Sequence, residues 1–313
     1  MSEAARFSGQ TVLVTGASGF IGSHLCRSLR SAGADVHGVS RSAEANDLDG
    51  LHWWHGDLSD IATVRNLINT VKPDAIFHLA SYVFGNRGLE AVLPALHSNL
   101  VTTVNVLTAA TEASCRRIVL AGSMEEPEAV QAAPSSPYAA AKWASSAYAR
   151  MFHALYQTPV VIARIFMVYG PGQRDLRKVV PYVTLSLLRH QTPRLSSGQR
   201  LVDWIYVEDV VAGLLVAAQA PGVSGCTIDL GSGHYTSVRE VVLQLAQIVD
   251  PQAQIAFGDL PDRPLEQARL AKVDETYARL GWRPAVSLEE GLRRTVDWYA
   301  QWLRQSGPVS GEG

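Results

Sequence analysis

The apolar residues of this chain fall into short unbroken runs set between longer stretches of helical period. Thr11-Val-Leu-Val-Thr15 is apolar and β-branched with no polar alternation, which predicts a strand buried on both faces, as in a parallel sheet. A helical pattern follows over Ser23 to Ala32. A second strand is expected from Asp35 to about Ser42, and a third over His52 to Leu58 with its turn. Val64 to Val71 reads as a helix, Asp74 to Ser81 as a fourth buried strand, and Asn99 to Ala113 as an amphipathic helix. Arg117 to Ser123 is a fifth strand ending on a serine. Tyr138 to Tyr156 is Ala-rich with few breakers and reads as a long helix. Strands alternating with helices predict an α/β fold with a doubly wound parallel sheet, which binds ligands at the carboxyl ends of its strands.

Gly16-Ala-Ser-Gly19-Phe-Ile-Gly22 lies between the first strand and the first helix. Glycines there permit a tight turn and let the backbone approach a pyrophosphate, held by the N–H groups and dipole of the helix amino terminus. The end of the second strand decides which dinucleotide fits. A carboxylate there accepts from a ribose 2′-hydroxyl, whereas a guanidinium forks onto a 2′-phosphate. Ser40 and Arg41 occupy that place and Asp35 is at the wrong end, so NADP(H) is expected over NAD(H). The alternative is a ribose contact from Glu44 or Asp47. Asp57 falls where a carboxylate meets an adenine amino group.

Tyr138 and Lys142 are one helical turn apart and share a face. A phenol titrates near ~10 and needs tuning to move protons at neutral pH. An ammonium one turn away is expected to lower that pKa. With Ser123 at a strand end to hydrogen-bond a carbonyl oxygen, the trio forms an acid/base device for interconverting a carbonyl and an alcohol. His52 and His55 raise the question of a metal, but no third ligand stands near them along the chain, so none is expected.

Composition narrows the picture. Of 313 residues, 47% are hydrophobic and 18% charged, which suits a globular chain with a substantial core. A net charge of −2 argues against a nucleic-acid or anionic-membrane surface. Cys26, Cys115 and Cys226 are far apart and odd in number, as expected for reduced thiols in a cytoplasmic protein. No signal peptide or membrane span is read, and residues 303–313 are expected to be a disordered tail.

Several segments together resemble the extended short-chain dehydrogenase/reductase family of nucleotide-sugar epimerases, dehydratases and ketoreductases. They are Val14 to Gly22, His78-Leu-Ala-Ser81, Asn99 to Leu107, Tyr138-Ala-Ala-Ala-Lys142, Arg164 to Gln173, Asp203-Trp-Ile-Tyr-Val-Glu-Asp209 and Leu280 to Pro284. The resemblance implies a Rossmann domain over 1–166 plus about 203–229. It implies a smaller interleaved substrate lobe over 167–202 and 230–302. Gly16, Ser18, Gly19, Phe20, Ile21 and Gly22 are then expected around the pyrophosphate. Asp57 and Leu58 are expected at the adenine, and Leu79, Ala80, Ser81 and Asn99 along the cofactor cleft, with Lys142 also on the nicotinamide ribose. Tyr82 and Met167 are expected near the substrate. The family commonly has Asn where Met167 stands and Arg where Val202 stands. Either Arg200 or Arg263 replaces that charge, or the substrate is not a nucleotide diphosphate sugar.

Glu125, two places after Ser123, resembles the base of some 4,6-dehydratases, although Met124 cannot be the further acid. Gly-Ser-x-Glu-Glu also resembles some NADPH-linked reductases of 4-keto-6-deoxy sugars. The leading expectation is an NADPH-dependent reductase of a nucleotide-linked 4-keto sugar. The alternatives are a C4 epimerase, a 4,6-dehydratase with Glu125 as base, or a non-catalytic NADP-sensing protein. Helices within Leu89 to Ala113 and Tyr138 to Tyr156 resemble the pair through which family members form homodimers.

Overall fold

The computed structural model describes residues 7–41, 50–83, 87–129, 132–266 and 268–306. The chain divides into two compact units. The first holds the chain up to Phe166, Val210–Leu230 and Lys272–Arg283; the second holds Met167–Asp209, Gly231–Ala271 and the chain from Pro284.

Seven parallel strands form the first unit's sheet: β1 (Thr11–Thr15), β2 (Asp35–Ser40), β3 (His52–His55), β4 (Ala75–His78), β5 (Arg117–Ser123), β6 (Val160–Ile165) and β9 (Thr227–Leu230). Their order is β3-β2-β1-β4-β5-β6-β9. The chain starts in the middle, winds out to β3, then crosses back to β4. This reversal beside β1 is the switch point at which such sheets bind ligands. β1, β4 and β5 are buried almost throughout, as their unbroken apolar runs require, while the edge strand β3 is not. Leu13, Ile76, Ile118, Leu120 and Ile162 of the sheet pack with Val106, Leu107 and Phe152 of the covering helices.

Helices α1 (Phe20–Ser31), α2 (Ile61–Val71), α3 (Val92–Ala95), α4 (Thr102–Glu112) and α5 (Pro137–Tyr156) belong to this unit. Asp60 caps α2 by accepting from the amides of Ala62 and Thr63. Ser136 caps α5 by accepting from the Ala139 amide, and Pro137 supplies the preset φ of the first helical position. That Ser-Pro pair puts Tyr138 in the first turn. The helix expected over Asn99 to Ala113 is regular only from Thr102. Leu96–Val101 forms a π-helical turn, and inside it Asn99 is 1% exposed. Such turns often mark functional sites.

The second unit contains a sheet of β7 (Met167–Tyr169), β8 (Leu201–Tyr206) and β10 (Tyr235–Ser237), in the order β10-β8-β7, with α6 (Val179–Leu188), α8 (Val238–Val249) and α10 (Leu288–Ser306). Helix α7 (Val207–Gln219) runs across the division, and α9 (Val273–Leu280) lies in the first unit. Two stretches differ from the expected boundaries. Residues 203–206 pair within the second unit's sheet, and 272–283 return to the first. Buried carboxylates explain both. Asp203, with no exposure, accepts from the amides of Ser232 (2.6 Å), Gly233 (2.9 Å) and Ala271 (2.9 Å). Asp209 accepts from Ala285 and Val286 (2.9 and 3.0 Å). In the first unit Asp229 accepts from Arg164 (2.9 Å) and the Lys272 amide (3.1 Å).

Asp203→Asn turns an amide NH2 toward buried donors and leaves at least one of them unsatisfied. Each such group costs about 1–3 kcal/mol. The urea midpoint of the variant is expected to fall, as read by circular dichroism.

Candidate active site

The turn after β1 is shaped by contact as much as by any ligand. Gly16 has φ +70°, and a Cβ there would lie 2.8 Å from the Ala80 amide nitrogen. A Cβ on Gly22 would lie 2.1 Å from the Gly16 carbonyl oxygen. Gly19 is different: its Cβ would meet only the Gly16 oxygen, at 3.1 Å. Gly19 also occupies the N-cap of α1, with no side-chain cap and no acidic residue in the first turn. The first-turn amides therefore suit an anion. Phe20 and Ile21 begin the helix, half-buried, and Ser18 contacts Ser40 at the end of β2 through its hydroxyl (3.4 Å). These features fit the pyrophosphate of a dinucleotide.

Residues 79–82, after β4, are held from below. The Asn99 side-chain oxygen accepts from the Ser81 hydroxyl and the Tyr82 amide, both at 2.8 Å, and its nitrogen donates to the Tyr82 carbonyl. Asn99 is thus committed to the loop, and its part in a cofactor cleft is to position Ser81 and Tyr82. Leu79 and Ala80 are half-buried. A chain of bonds continues beneath. The Ala80 amide donates to Thr15 Oγ1 (3.1 Å), which lies 2.8 Å from His78 Nδ1; His78 Nε2 lies 3.2 Å from Thr103 Oγ1, which donates to the Asn99 carbonyl (2.6 Å). Since the Thr103 proton goes to a carbonyl, His78 Nε2 must carry the other proton and Nδ1 must accept. Burial, with Lys142 nearby, pushes the His78 pKa down to about 3, so the ring is neutral.

Ser123, Tyr138 and Lys142 come together where β5 ends and α5 begins. Ser123 is 5% and Lys142 3% exposed. The Tyr138 hydroxyl lies near the hydroxyls of Ser123 and Ser81, close enough for both to act on its pKa. Lys142 Nζ donates to the Ala121 carbonyl (2.9 Å) and sits 6.0 Å from the centre of the Tyr138 ring. The electrostatics correct one expectation: the Tyr138 pKa is raised, not lowered. Burial pushes it up to about 12, and the Ser123 hydroxyl opposes this while Glu125 and Glu126 add to the rise. The ammonium is turned to a carbonyl, and burial lowers its own pKa to about 8 against the pull of Glu126. Tyr138 is therefore a neutral proton donor at neutral pH.

Sequence reasoning chose Glu125 and missed Glu126. Glu125 accepts from the Ser135 hydroxyl (3.2 Å), and its amide donates to Ser123 Oγ (3.2 Å). Glu126 is the buried one, at 2% exposure, and its carboxylate accepts from the Ser123 amide (2.7 Å). A Cβ on Gly122 would sit 2.8 Å from that carboxylate, so Gly122 makes room for it. The one sign in the sequence was a second acid beside the one chosen.

At the far side of the turn, Arg41 is exposed just past β2, close enough to help lower the pKa of the exposed Asp57, which hydrogen bonds from Ser59 depress first. Leu58 is buried and its carbonyl accepts from Asn105. Glu44 and Asp47 lie outside the described residues. Met167, Arg200 and Arg263 belong to the second unit; Met167 is half-buried, Arg200 pairs with Glu266 (3.1 Å), and Arg263 is exposed. No helix among the described residues is long and apolar enough to cross a membrane.

Comparison with known proteins places this geometry. The sequence profile of the NAD dependent epimerase/dehydratase family matches residues 12–231. A UDP-glucose 4-epimerase of Mycolicibacterium smegmatis is 33% identical, over 92% of this chain and 97% of that protein. A dTDP-glucose 4,6-dehydratase of Haemophilus influenzae is 28% identical, over 92% of this chain and 97% of that one. The structure of the Bordetella bronchiseptica enzyme WbmF in complex with NADH superposes with a TM-score of 0.82 at 26% identity, covering 95% of this chain and 94% of that one.

Removing the Glu126 charge while keeping an acceptor for Ser123 is expected to lower the pKa of both Lys142 and Tyr138. In Glu126→Gln the alkaline limb of the kcat/KM profile should move to lower pH. An unmoved limb would leave Glu126 a purely structural part of the turn.

Proposed function

Because the chain belongs to the NAD dependent epimerase/dehydratase family, and is an enzyme of the extended short-chain dehydrogenase/reductase group, we propose that it is a reducing member: an NADPH-dependent reductase of a nucleotide-linked 4-keto sugar. The observation that carries this reading is a guanidinium, Arg41, at the strand end where a ribose-binding carboxylate would stand. A protonated Tyr138 is consistent with it, since reduction needs a proton donor.

In this reading the turn from Gly16 to Gly22 and the amides opening α1 hold the pyrophosphate, and Arg41 holds the 2′-phosphate. Asp57 and Leu58 border the adenine, and Leu79 to Ser81 line the cleft. When bound, the dinucleotide supplies the hydride received by the keto carbon. Ser123 Oγ hydrogen-bonds the oxygen as negative charge grows on it, and Tyr138 gives that oxygen its proton. Lys142 and Glu126 hold the local charge balance. Tyr82 meets the substrate on the first unit, and Met167, Arg200 and Arg263 are the substrate candidates of the second unit. Glu125 is at hand for a proton beside the carbonyl, but Met124 beside it is no acid, which weighs against elimination.

A second reading is favoured by the relatives: C4 epimerisation with a retained NAD. The similar proteins include a 4-epimerase, and WbmF was solved with NADH. The exposed Leu89, Leu93, Tyr148, Leu155 and Tyr156 on the helices from 89 to 156 support a homodimer in either case, and a cytoplasmic enzyme remains the expectation.

Denaturing the purified protein and identifying any released dinucleotide tests the choice. Little bound cofactor and a preference for NADPH over NADH are expected. Arg41→Ala should weaken NADPH about tenfold or more, the worth of one hydrogen bond to a charged group, and leave NADH unchanged. Tightly retained NAD overturns the reductase in favour of the epimerase. Tyr138→Phe should cost roughly 10²–10⁴ in kcat and spare cofactor binding, as measured by fluorescence titration.

A further inference from the structure

We propose that Asp35, His37 and His52 form a binding site for a divalent cation of the zinc class, on the edge of the first unit's sheet and at the opposite strand ends from the glycine turn. Along the chain His52 has no third ligand near it; sheet register supplies two. His37 on β2 lies directly opposite His52 on β3, and Asp35 lies two residues before His37, on the same face of the sheet. One ligand atom from each of the three falls within 4.8 Å of the others, and this is the one such group among the described residues.

The three already converge. Asp35 Oδ2 lies 3.3 Å from His37 Nε2, and Oδ1 lies 3.0 Å from His52 Nε2. The two imidazoles are stacked, with centres 4.7 Å apart and 24° between planes. In a tetrahedral site with bonds of ~2.0–2.1 Å, ligand atoms sit ~3.3 Å apart. Each carboxylate oxygen stands near that spacing from one ring nitrogen, Oδ2 from His37 and Oδ1 from His52, and the three ligand atoms, now within 4.8 Å of one another, must draw together. Side-chain exposures of 13% for His37 and 63% for His52 leave one side open, so water completes the coordination. Two imidazoles and one carboxylate select zinc-like ions and disfavour magnesium and calcium, which take oxygen ligands.

A neighbour opposes the cation in a way that can be read out. Trp54 Nε1 donates to His37 Nδ1 at 2.9 Å. Indole nitrogen only donates, so Nδ1 accepts and the ring proton sits on Nε2, facing Asp35. A cation on Nε2 displaces that proton. The neutral ring then carries its proton on Nδ1, where it meets the Trp54 N–H, and the Trp54 bond is lost. Cation and indole therefore compete for one histidine.

Calorimetric titration of the full chain, stripped with EDTA, with ZnCl2 and separately MgCl2, tests this. One Zn2+ per chain and no Mg2+ are expected. His52→Ala and Asp35→Asn, both at exposed positions, should bind Zn2+ at least tenfold more weakly with an unchanged circular dichroism spectrum. Trp54→Phe, relieved of the competing bond, should bind about two- to tenfold more tightly. Absence of saturable Zn2+ binding, or binding undiminished in His52→Ala and Asp35→Asn, overturns the site. Affinity unchanged or weakened in Trp54→Phe overturns the assignment of His37. Dinucleotide affinity should be the same in His52→Ala as in the parent chain, so the result stands apart from the choice of cofactor.

Discussion

A buried ammonium sets the terms for the rest of the catalytic unit. Lys142 is taken out of water, which disfavours its charge, and two things offset that loss: the Ala121 carbonyl and the negative charge of Glu126. Both partners lie on or just after β5, so the helix that carries Lys142 can seat in one way only. Glu126 in turn depends on the Ser123 amide and on the missing side chain of Gly122. Satisfying one lysine therefore fixes the first turn of α5 against the end of β5, and that is what brings the Tyr138 hydroxyl to Ser123.

The phenol feels this arrangement as acid surroundings. Burial and two carboxylates hold its proton on, and the nearby hydroxyls of Ser123 and Ser81 pull the other way without winning. A site of this kind is ready to give a proton before a dinucleotide arrives.

What could be read from the chain was whatever is local. The buried run of β1, the strand-end Ser123 and the long helix from Tyr138 are all written in contiguous residues, and the structure has them where expected. Features created by juxtaposition were hidden. Asn99 looked like a helix residue, yet a π-turn swings it under the loop at Ser81. His78 is one residue in an apolar strand until Thr15 from the next strand and Thr103 from a helix close on its two nitrogens. The sign of the Tyr138 shift was misread for the same reason: helical spacing puts Lys142 near, but where its ammonium points depends on a carbonyl in another element. His37 and His52 are 15 residues apart in sequence and side by side in register.

The three buried aspartates that hold the chain where it returns to each unit also constrain how it is made. Asp229 takes its amide donor from a residue 43 positions later, Asp203 takes one from 68 positions later, and Asp209 takes its two from 76 and 77 positions later. On the ribosome each carboxylate is therefore synthesised well before the donors that neutralise its burial. The usual order, in which an amino-terminal domain folds while the next is still being translated, is closed to this chain. Its large sheet can assemble early, but neither unit is complete until Lys272 and then Val286 have emerged. Until then the nascent protein holds unfinished acidic pockets, and the amides between Ala271 and Val286 are what fill them.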